Sequence, residues 1–310
     1  APTPLAERPP TMAADIAQFS LWAATLFVAL AAVAQIGLLV ARKPVRASER
    51  EYAMSGGTAP IEPDAPGSAP RPPAGRGLFF YGRVLSWLGL GFLTVSLIAR
   101  MIATGHGPFT NQHEFAVSFA WGLLAVYAYF EWRHKLYALA LLVLPVSLAM
   151  LAYSLTVDSS ISPLVPALQN RVLLTLHVLT AVLSYGAAGV AFAAAALYLI
   201  RPRIRWTGLP SSEVLDEIGY RAVVFSFPLM TIMLVLGAIW ADIAWGHYWS
   251  WDPKETAALV TWLIYGAYLH ARVARNWRGN RAAWLLIIGF AAVLFTFFGN
   301  LFLGGLHSYA

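Results

Sequence analysis

Between residues 240 and 255 the chain places Trp240, Trp245, Trp249 and Trp251, four of its twelve tryptophans, alongside His247, Tyr248, Asp252, Pro253, Lys254 and Glu255. One tryptophan at the end of an apolar segment is ordinarily an anchor at the headgroup level of a bilayer. Four in one short loop ask for more: flat, amphipathic rings held together form a platform for a large, planar, apolar ligand, with indole N–H groups able to bond at its rim. Haem has that shape, and its iron takes axial ligands above and below the ring, most often neutral imidazole. The chain holds seven histidines, so which of them can reach such a platform depends on the elements that carry them.

Those elements read as membrane helices. An apolar fraction of 59%, a charged fraction of 12% and a mean hydropathy of +0.63 describe a chain that lipid solvates. Crossing ~30 Å of hydrocarbon at ~1.5 Å per residue takes about 20 residues. Apolar runs of that order recur at 16–40, 80–103, 114–131, 136–154, 171–200, 221–241, 256–273 and 283–303. They are expected to be helices because hydrocarbon offers no partner to a bare peptide group and the runs lack the alternation of barrel strands. The expected fold is all-α, a polytopic membrane protein of about eight transmembrane helices. The first run is expected to be a retained span, too long for a signal peptide and with no basic stretch before it.

Residues 1–43 read as an N-terminal tail with the first span, 44–79 as a cytoplasmic Pro/Gly-rich linker, and 80–310 as a seven-helix membrane domain with the Trp-rich outer loop at 240–255. The linker carries Pro44, Pro60, Pro63, Pro66, Pro70, Pro72 and Pro73 and few large apolar side chains, so little offsets its ordering entropy and disorder is expected. All Lys and Arg except Arg8, Arg100, Arg171 and Lys254 fall in the loops after the first, third, fifth and seventh spans. That bias places those loops in the cytoplasm, and both termini and the Trp-rich loop outside. The net charge of +6 is then mostly a topology signal, and no nucleic-acid partner is needed to explain it. With no cysteine, the chain supplies no disulfide, thiolate ligand or thiol relay, and any thiol chemistry has to come from a partner.

In this frame His177 lies in the outer part of the fifth span and His307 just past the outer end of the eighth, so two helices can bring imidazoles to opposite faces of one ring. His270 lies about 24 Å of helix rise beyond Lys254, toward the cytoplasmic end of the seventh span and out of reach of an outer haem. An ionisable residue inside a span is a functional candidate in its own right. His247 lies within the Trp-rich loop, His106 and His113 in the outer loop between the second and third spans, and His134 in a basic cytoplasmic loop. Lys254, Arg171 and Arg100 are the basic residues near the outer face that could meet the propionates of a haem, or that could simply snorkel to the interface. Asp252 and Glu255 open the seventh span, where carboxylates suit a helix N-terminus and Pro253 a first turn. Pro145 and Pro228 are expected to kink their spans.

The segment Trp245-Gly-His-Tyr-Trp-Ser-Trp-Asp-Pro-Lys-Glu-Thr256 resembles the tryptophan-rich signature, the WWD domain, of the cytochrome c assembly family. Leu215-Asp-Glu-Ile-Gly-Tyr-Arg221 and Gly237-Ala-Ile-Trp-Ala241 resemble that family's approach to the loop. Trp262-Leu-Ile-Tyr-Gly-Ala-Tyr-Leu-His270 and Gly305-Leu-His-Ser-Tyr309 resemble its closing helices, so the similarity runs over about 80–310. Eight expected spans in 310 residues are similar to the CcsA/ResC branch of the two-component (System II) cytochrome c biogenesis proteins.

The resemblance implies haem b as the group handled, moved to the outer face and presented there. It implies His177 and His307 as the two external axial ligands of the iron, and His270 as an intramembrane histidine that receives haem from the inner side. It implies Trp240, Trp245, Trp249, Trp251 and Asp252 as the haem-binding loop. It further implies a CcsB/ResB-type membrane partner, the source of a second ligand at the inner site, and an apocytochrome c client whose CxxCH thiols add to the haem vinyl groups. Chain and partner would together form a holocytochrome c synthase in the bacterial cytoplasmic membrane, or in the thylakoid membrane of a plastid, with the loop on the outer or periplasmic side. Two other readings stand beside this one. A membrane b-type haem electron-transfer protein would pair histidines at matching depths inside the bundle, and a transporter or structural subunit for a non-haem cargo would use the histidines as core and the tryptophans as a belt.

Overall fold

A computed structural model of the chain describes residues 12–41, 76–161, 164–203, 209–299 and 302–307. These form eight α-helices: α1 (Met12–Ala41), α2 (Arg76–Thr104), α3 (Gln112–His134), α4 (Ala140–Ser154), α5 (Arg171–Ile200), α6 (Ser212–Trp245), α7 (Pro253–Ala274) and α8 (Asn280–Phe298). Single 3-10 turns stand at Tyr137–Leu139, Pro166–Leu168 and Arg201–Arg203, and the described residues contain no strand. Seven of the helices are long and apolar enough to cross a membrane; α7 is long enough but less apolar, carrying Lys254, Glu255, His270 and Arg272. The chain is thus the all-helical, polytopic membrane protein that its composition requires.

Most of the linker expected at 44–79 lies outside the described residues. Its last four residues are helical instead, because the last prolines are Pro72 and Pro73 and the apolar run beginning at Leu78 lets α2 start at Arg76.

In lipid there is little hydrophobic drive between helices, so close packing depends on small residues and on polar contacts across the interface. Helix α5 supplies both at the centre of the bundle, where it packs against α3, α6 and α8. Its run from Gly186 to Ala195 is almost entirely glycine and alanine, and the α3–α5 crossing is backbone on backbone. A Cβ on Gly186 would sit 2.5 Å from the Gly122 carbonyl oxygen, and one on Gly122 2.6 Å from that of Val182. Between α5 and α6 two serines bond reciprocally: Ser184 Oγ donates to the Ser226 carbonyl (3.2 Å) and Ser226 Oγ to the Ser184 carbonyl (2.8 Å). At the opposite end of α6 from the tryptophans, buried Arg272 pairs with Asp216 at 2.6 Å, and Asp216 also accepts the Gly279 N–H at 3.1 Å. That lock ties α6, α7 and the start of α8 together.

Two of the helices whose bounds differ from the expected ones, α6 and α8, shape the site. Helix α6 spans 34 residues rather than 221–241. Ser211 caps its start by accepting the Val214 N–H (3.3 Å), Pro228 lies within the helix without ending it, and nothing stops it before Gly246, whose φ of +79° makes a left-handed cap. Trp240 and Trp245 are therefore helical, and the loop placed at 240–255 contracts to the stretch between Gly246 and Asp252. Helix α8 ends at Phe298, not at 303, and residues 302–307 turn back onto the start of α7. The start of α5, the end of α6, the start of α7 and this returning segment consequently meet at one end of the bundle.

Replacing Gly186 by Leu should force α3 and α5 apart at a cost of about 1–3 kcal/mol. The expected result is a lower melting temperature in detergent with helical circular dichroism retained below the transition; an unchanged melting temperature would refute the close α3–α5 contact.

Candidate functional site

His177 sits near the start of α5, whose N-cap Asn170 accepts the Leu173 N–H at 3.3 Å. Its Nδ1 lies 2.9 Å from the carbonyl oxygen of Met233 on α6. A carbonyl only accepts, so Nδ1 carries the proton and the lone pair resides on Nε2. This approach depends on Gly237, one turn along α6, because a Cβ there would lie 2.8 Å from His177 Cε1.

His307 arrives by a different route. Asp252 is the N-cap of α7, and its carboxylate collects donors from two pieces of chain. Oδ1 accepts the Lys254 N–H (2.9 Å) and His307 Nδ1 (2.8 Å), while Oδ2 accepts the Leu306 N–H (2.6 Å). Gly305 makes room, since a Cβ there would collide with Asp252 Oδ2. Glu255 completes the capping box: its Oε2 accepts the Ser250 N–H (2.9 Å), the Ser250 hydroxyl (3.0 Å) and the Asp252 N–H (3.3 Å). The loop is bracketed by left-handed backbone at Gly246 and at Trp251, whose φ of +60° is unusual for so bulky a residue.

Burial alone would push the Asp252 carboxyl up, but the hydrogen bond and charge of His307 and the N–H groups of Lys254 and Leu306 outweigh it and bring its pKa to about 2. Burial pushes His307 below its ordinary value against the opposing pull of Asp252. The stable arrangement near neutral pH is therefore an ionised Asp252 accepting Nδ1–H from a neutral imidazole, with the lone pair on Nε2.

The four tryptophans divide. Trp240 is buried, donates through Nε1 to the Ala167 carbonyl (2.9 Å), and lies with its ring 6.2 Å from that of His177 and 5.5 Å from that of His307. Trp245 packs edge-on against Trp240 (5.0 Å) and His307 (4.9 Å). Trp249 lines a cavity, and its buried Nε1 has no hydrogen-bond partner among the described residues. Trp251 is 70% exposed and meets only the edge of Trp249 in the aromatic cluster, at 5.7 Å.

The cavity has a volume of about 1100 Å³, counting the part open to solvent. His177 and His307 both line it, with Trp240, Trp249, Tyr248, Phe115, Phe119, Phe297 and Lys254. Of the three cations considered from the sequence, only Lys254 lines it: Arg100 Nε is paired with buried Glu114 (2.8 Å), and Arg171 donates to the Gly105 carbonyl (3.0 Å). His270 is exposed on α7 and does not line the cavity. His247 is exposed and bonded to the Trp245 carbonyl, while His113 is buried and bonded to that of Ser154. The supporting residues Met233, Gly237 and Gly305 carry no signal of their own in the sequence, because a helical glycine and a backbone carbonyl look the same wherever they lie.

Fold and site define a helical membrane protein that gathers two imidazoles, a lysine and a set of indoles around one cavity at one end of the bundle. A family model described as cytochrome C assembly protein matches residues 110–307. The chain is 37% identical to cytochrome c biogenesis protein CcsA of Guillardia theta, with 76% of this chain and 87% of that one covered. It is 34% identical to CcsA of Gloeobacter violaceus (73% and 87%) and 36% identical to CcsA of Prochlorococcus marinus (74% and 85%). The solved structure of cytochrome c haem lyase CcmF superposes with a TM-score of 0.65 at 15% identity, covering 96% of this chain but 49% of that one, so the two share a fold and this chain spans about half the lyase's length. The chain belongs to the cytochrome c assembly family, in its CcsA-type branch.

Asp252 gives a pH prediction. Its folded pKa lies below the ordinary 3.8, so its contribution is fully present above that value and is lost as pH falls through about 2. The exchange protection factor of the Leu306 amide should stay level from neutral pH to about 4 and collapse only toward about 2. Asp252→Ala should lower it about tenfold or more at neutral pH, the effect of losing a charged acceptor; protection that falls near pH 6 would mean His307, not Asp252, governs the contact.

Proposed function

We propose that this protein holds haem b at the end of the bundle where α5, α6, α7 and residues 302–307 meet, and presents it there to an apocytochrome c for covalent attachment. One observation carries the reading: two histidines line one aromatic-walled cavity, and each has Nδ1 engaged by an oxygen acceptor, which leaves Nε2 as the ligating nitrogen. Metal-bound imidazoles are oriented in this way by carboxylate or carbonyl partners, which also raise their basicity. His177 and His307 are the proposed axial ligands. Trp240, fixed by Ala167 and flanked by Trp245, keeps the two imidazoles in place, Trp249 walls the cavity, and Trp251 projects from its rim.

Haem here is cargo. Covalent attachment adds each client thiol across a vinyl C=C bond, sulfur bonding to one carbon and hydrogen to the other, while the client's own histidine replaces one of the two imidazoles. A chain without cysteine supplies no competing thiol and acts by holding and orienting. The distribution of Lys and Arg supports placing the site on the outer side of the membrane. His270, exposed on α7 away from the cavity, is the proposed inner ligand. An uncovered imidazole within a membrane helix is costly, which supports a CcsB/ResB-type partner whose helix covers it and brings the second ligand. An electron-transfer role is disfavoured because both cavity histidines lie at one end of the bundle rather than deep within it.

Purified wild type should show a six-coordinate, low-spin Soret spectrum with haem. His177→Ala and His307→Ala should each lower retained haem by about tenfold or more, the double substitution should abolish it, and added imidazole should restore the spectrum; His247→Ala should change nothing. Asp252→Asn should weaken haem retention about 10–100-fold, as loss of an orienting partner does at other metal-bound histidines. Haem content indifferent to His177 and His307 would remove the reading and favour a non-haem cargo.

A further inference from the structure

We propose that Lys254 and Trp249 together bind one carboxylate of the porphyrin and so set the rotation of the ring about its axial bonds; this rests on the reading of the cavity as a haem site. Two imidazoles hold the iron and the plane of the ring, but a ring held only along that axis can turn within its plane. Apolar walls resist that turning weakly because the porphyrin is nearly four-fold symmetric apart from its peripheral groups. The propionates occupy one edge and the reactive vinyl groups lie toward the other, so fixing a propionate fixes where the vinyls are.

Two polar donors line the cavity, Lys254 and Trp249. Lys254 lines it, with its ammonium over the face of the Phe115 ring, 4.8 Å from the ring centre, and among the described residues no carboxylate forms an ion pair with it. Asp252 spends its oxygens on two backbone N–H groups and His307, and Glu255, which also lines the cavity, gives its Oε2 to Ser250 and Asp252. A half-buried cation facing an apolar-walled cavity attracts an entering anion more strongly than one in open water does. Independently, the buried Trp249 Nε1–H lacks an acceptor among the described residues. An ammonium and an indole N–H in one cavity suit a carboxylate, which has two oxygens and only accepts. Arg100 and Arg171 are committed to Glu114 and Gly105 and offer no rival site.

The test compares haem with its dimethyl ester, which keeps the iron and the ring but has no anionic carboxylate, by Soret titration of the full-length protein. Wild type should bind the free acid about ten- to a hundredfold more tightly than the ester, the range expected of charge-assisted hydrogen bonds. Lys254→Met should weaken the acid to the level of the ester, leave the ester's affinity unchanged and keep the bis-imidazole spectrum; Lys254→Arg should retain the preference, and Trp249→Phe should lose part of it. A preference that survives Lys254→Met overturns the inference, as does a loss that falls equally on both compounds, since Lys254 would then support the fold. If wild type binds acid and ester equally with a bis-imidazole spectrum, the haem site stands and this inference fails. If neither compound gives that spectrum, both fail.

Discussion

The Asp252 carboxylate is a charge placed where two pieces of chain meet. Phe302 is 83% exposed, so the returning segment brings little apolar anchoring to the bundle. Beside the packing of the His307 ring on Trp240 and Trp245, the Leu306 N–H and the His307 imidazole both donate to Asp252, while the same carboxylate caps α7. Hydrogen bonds to a charged acceptor are stronger than neutral ones, about 1.5–3 kcal/mol each. A helix cap thereby becomes the element that positions a candidate metal ligand, and the position of His307 depends on the ionisation and geometry of one residue 55 positions earlier in the chain.

The other histidine is held by the opposite means. His177 stands on α5, the helix at the centre of the bundle, and its partner is a carbonyl of the neighbouring helix. That contact exists because α5 and α6 approach closely and because Gly237 leaves space for the ring. In lipid, where helices gain little by burying apolar surface against one another, such closeness comes from small residues and from bonds like those between Ser184 and Ser226. The cavity thus has one histidine on a central helix and one on a clasped segment, an arrangement that suits the proposed holding and release of a cargo.

The tryptophans illustrate how type and role separate. Four indoles share sixteen residues of sequence, yet Trp240 and Trp245 are helical buttresses, Trp249 is a cavity wall and Trp251 is exposed at a strained turn. Their types suggested a single platform on a loop. The actual division follows from how far α6 continues: with no breaker before Gly246, its last turns carry two of the four rings into the bundle end.

Much of this was legible without a fold. The lipid environment, the number of helices and the bounds of α5 follow from the apolar runs, because hydrocarbon requires each crossing segment to satisfy its own backbone. Residue chemistry and spacing marked the tryptophans and Lys254 as one cation among three, and placed His177 and His307 on one side, while the resemblance to the family singled those two histidines out. Boundaries set by absence were missed: α6 overruns its apolar core because helix continues until something stops it, and α8 ends early at a glycine. The partners were not legible either. A carbonyl at Met233, a missing Cβ at Gly237 and the use of Asp252 by a segment far along the chain are properties of spatial neighbours, which no local pattern encodes. The sequence by itself determined the solvent, the elements and the chemical types available; only the tertiary structure decided which of those groups share a cavity and which nitrogen each imidazole turns toward it, because both depend on contacts between residues that are distant along the chain.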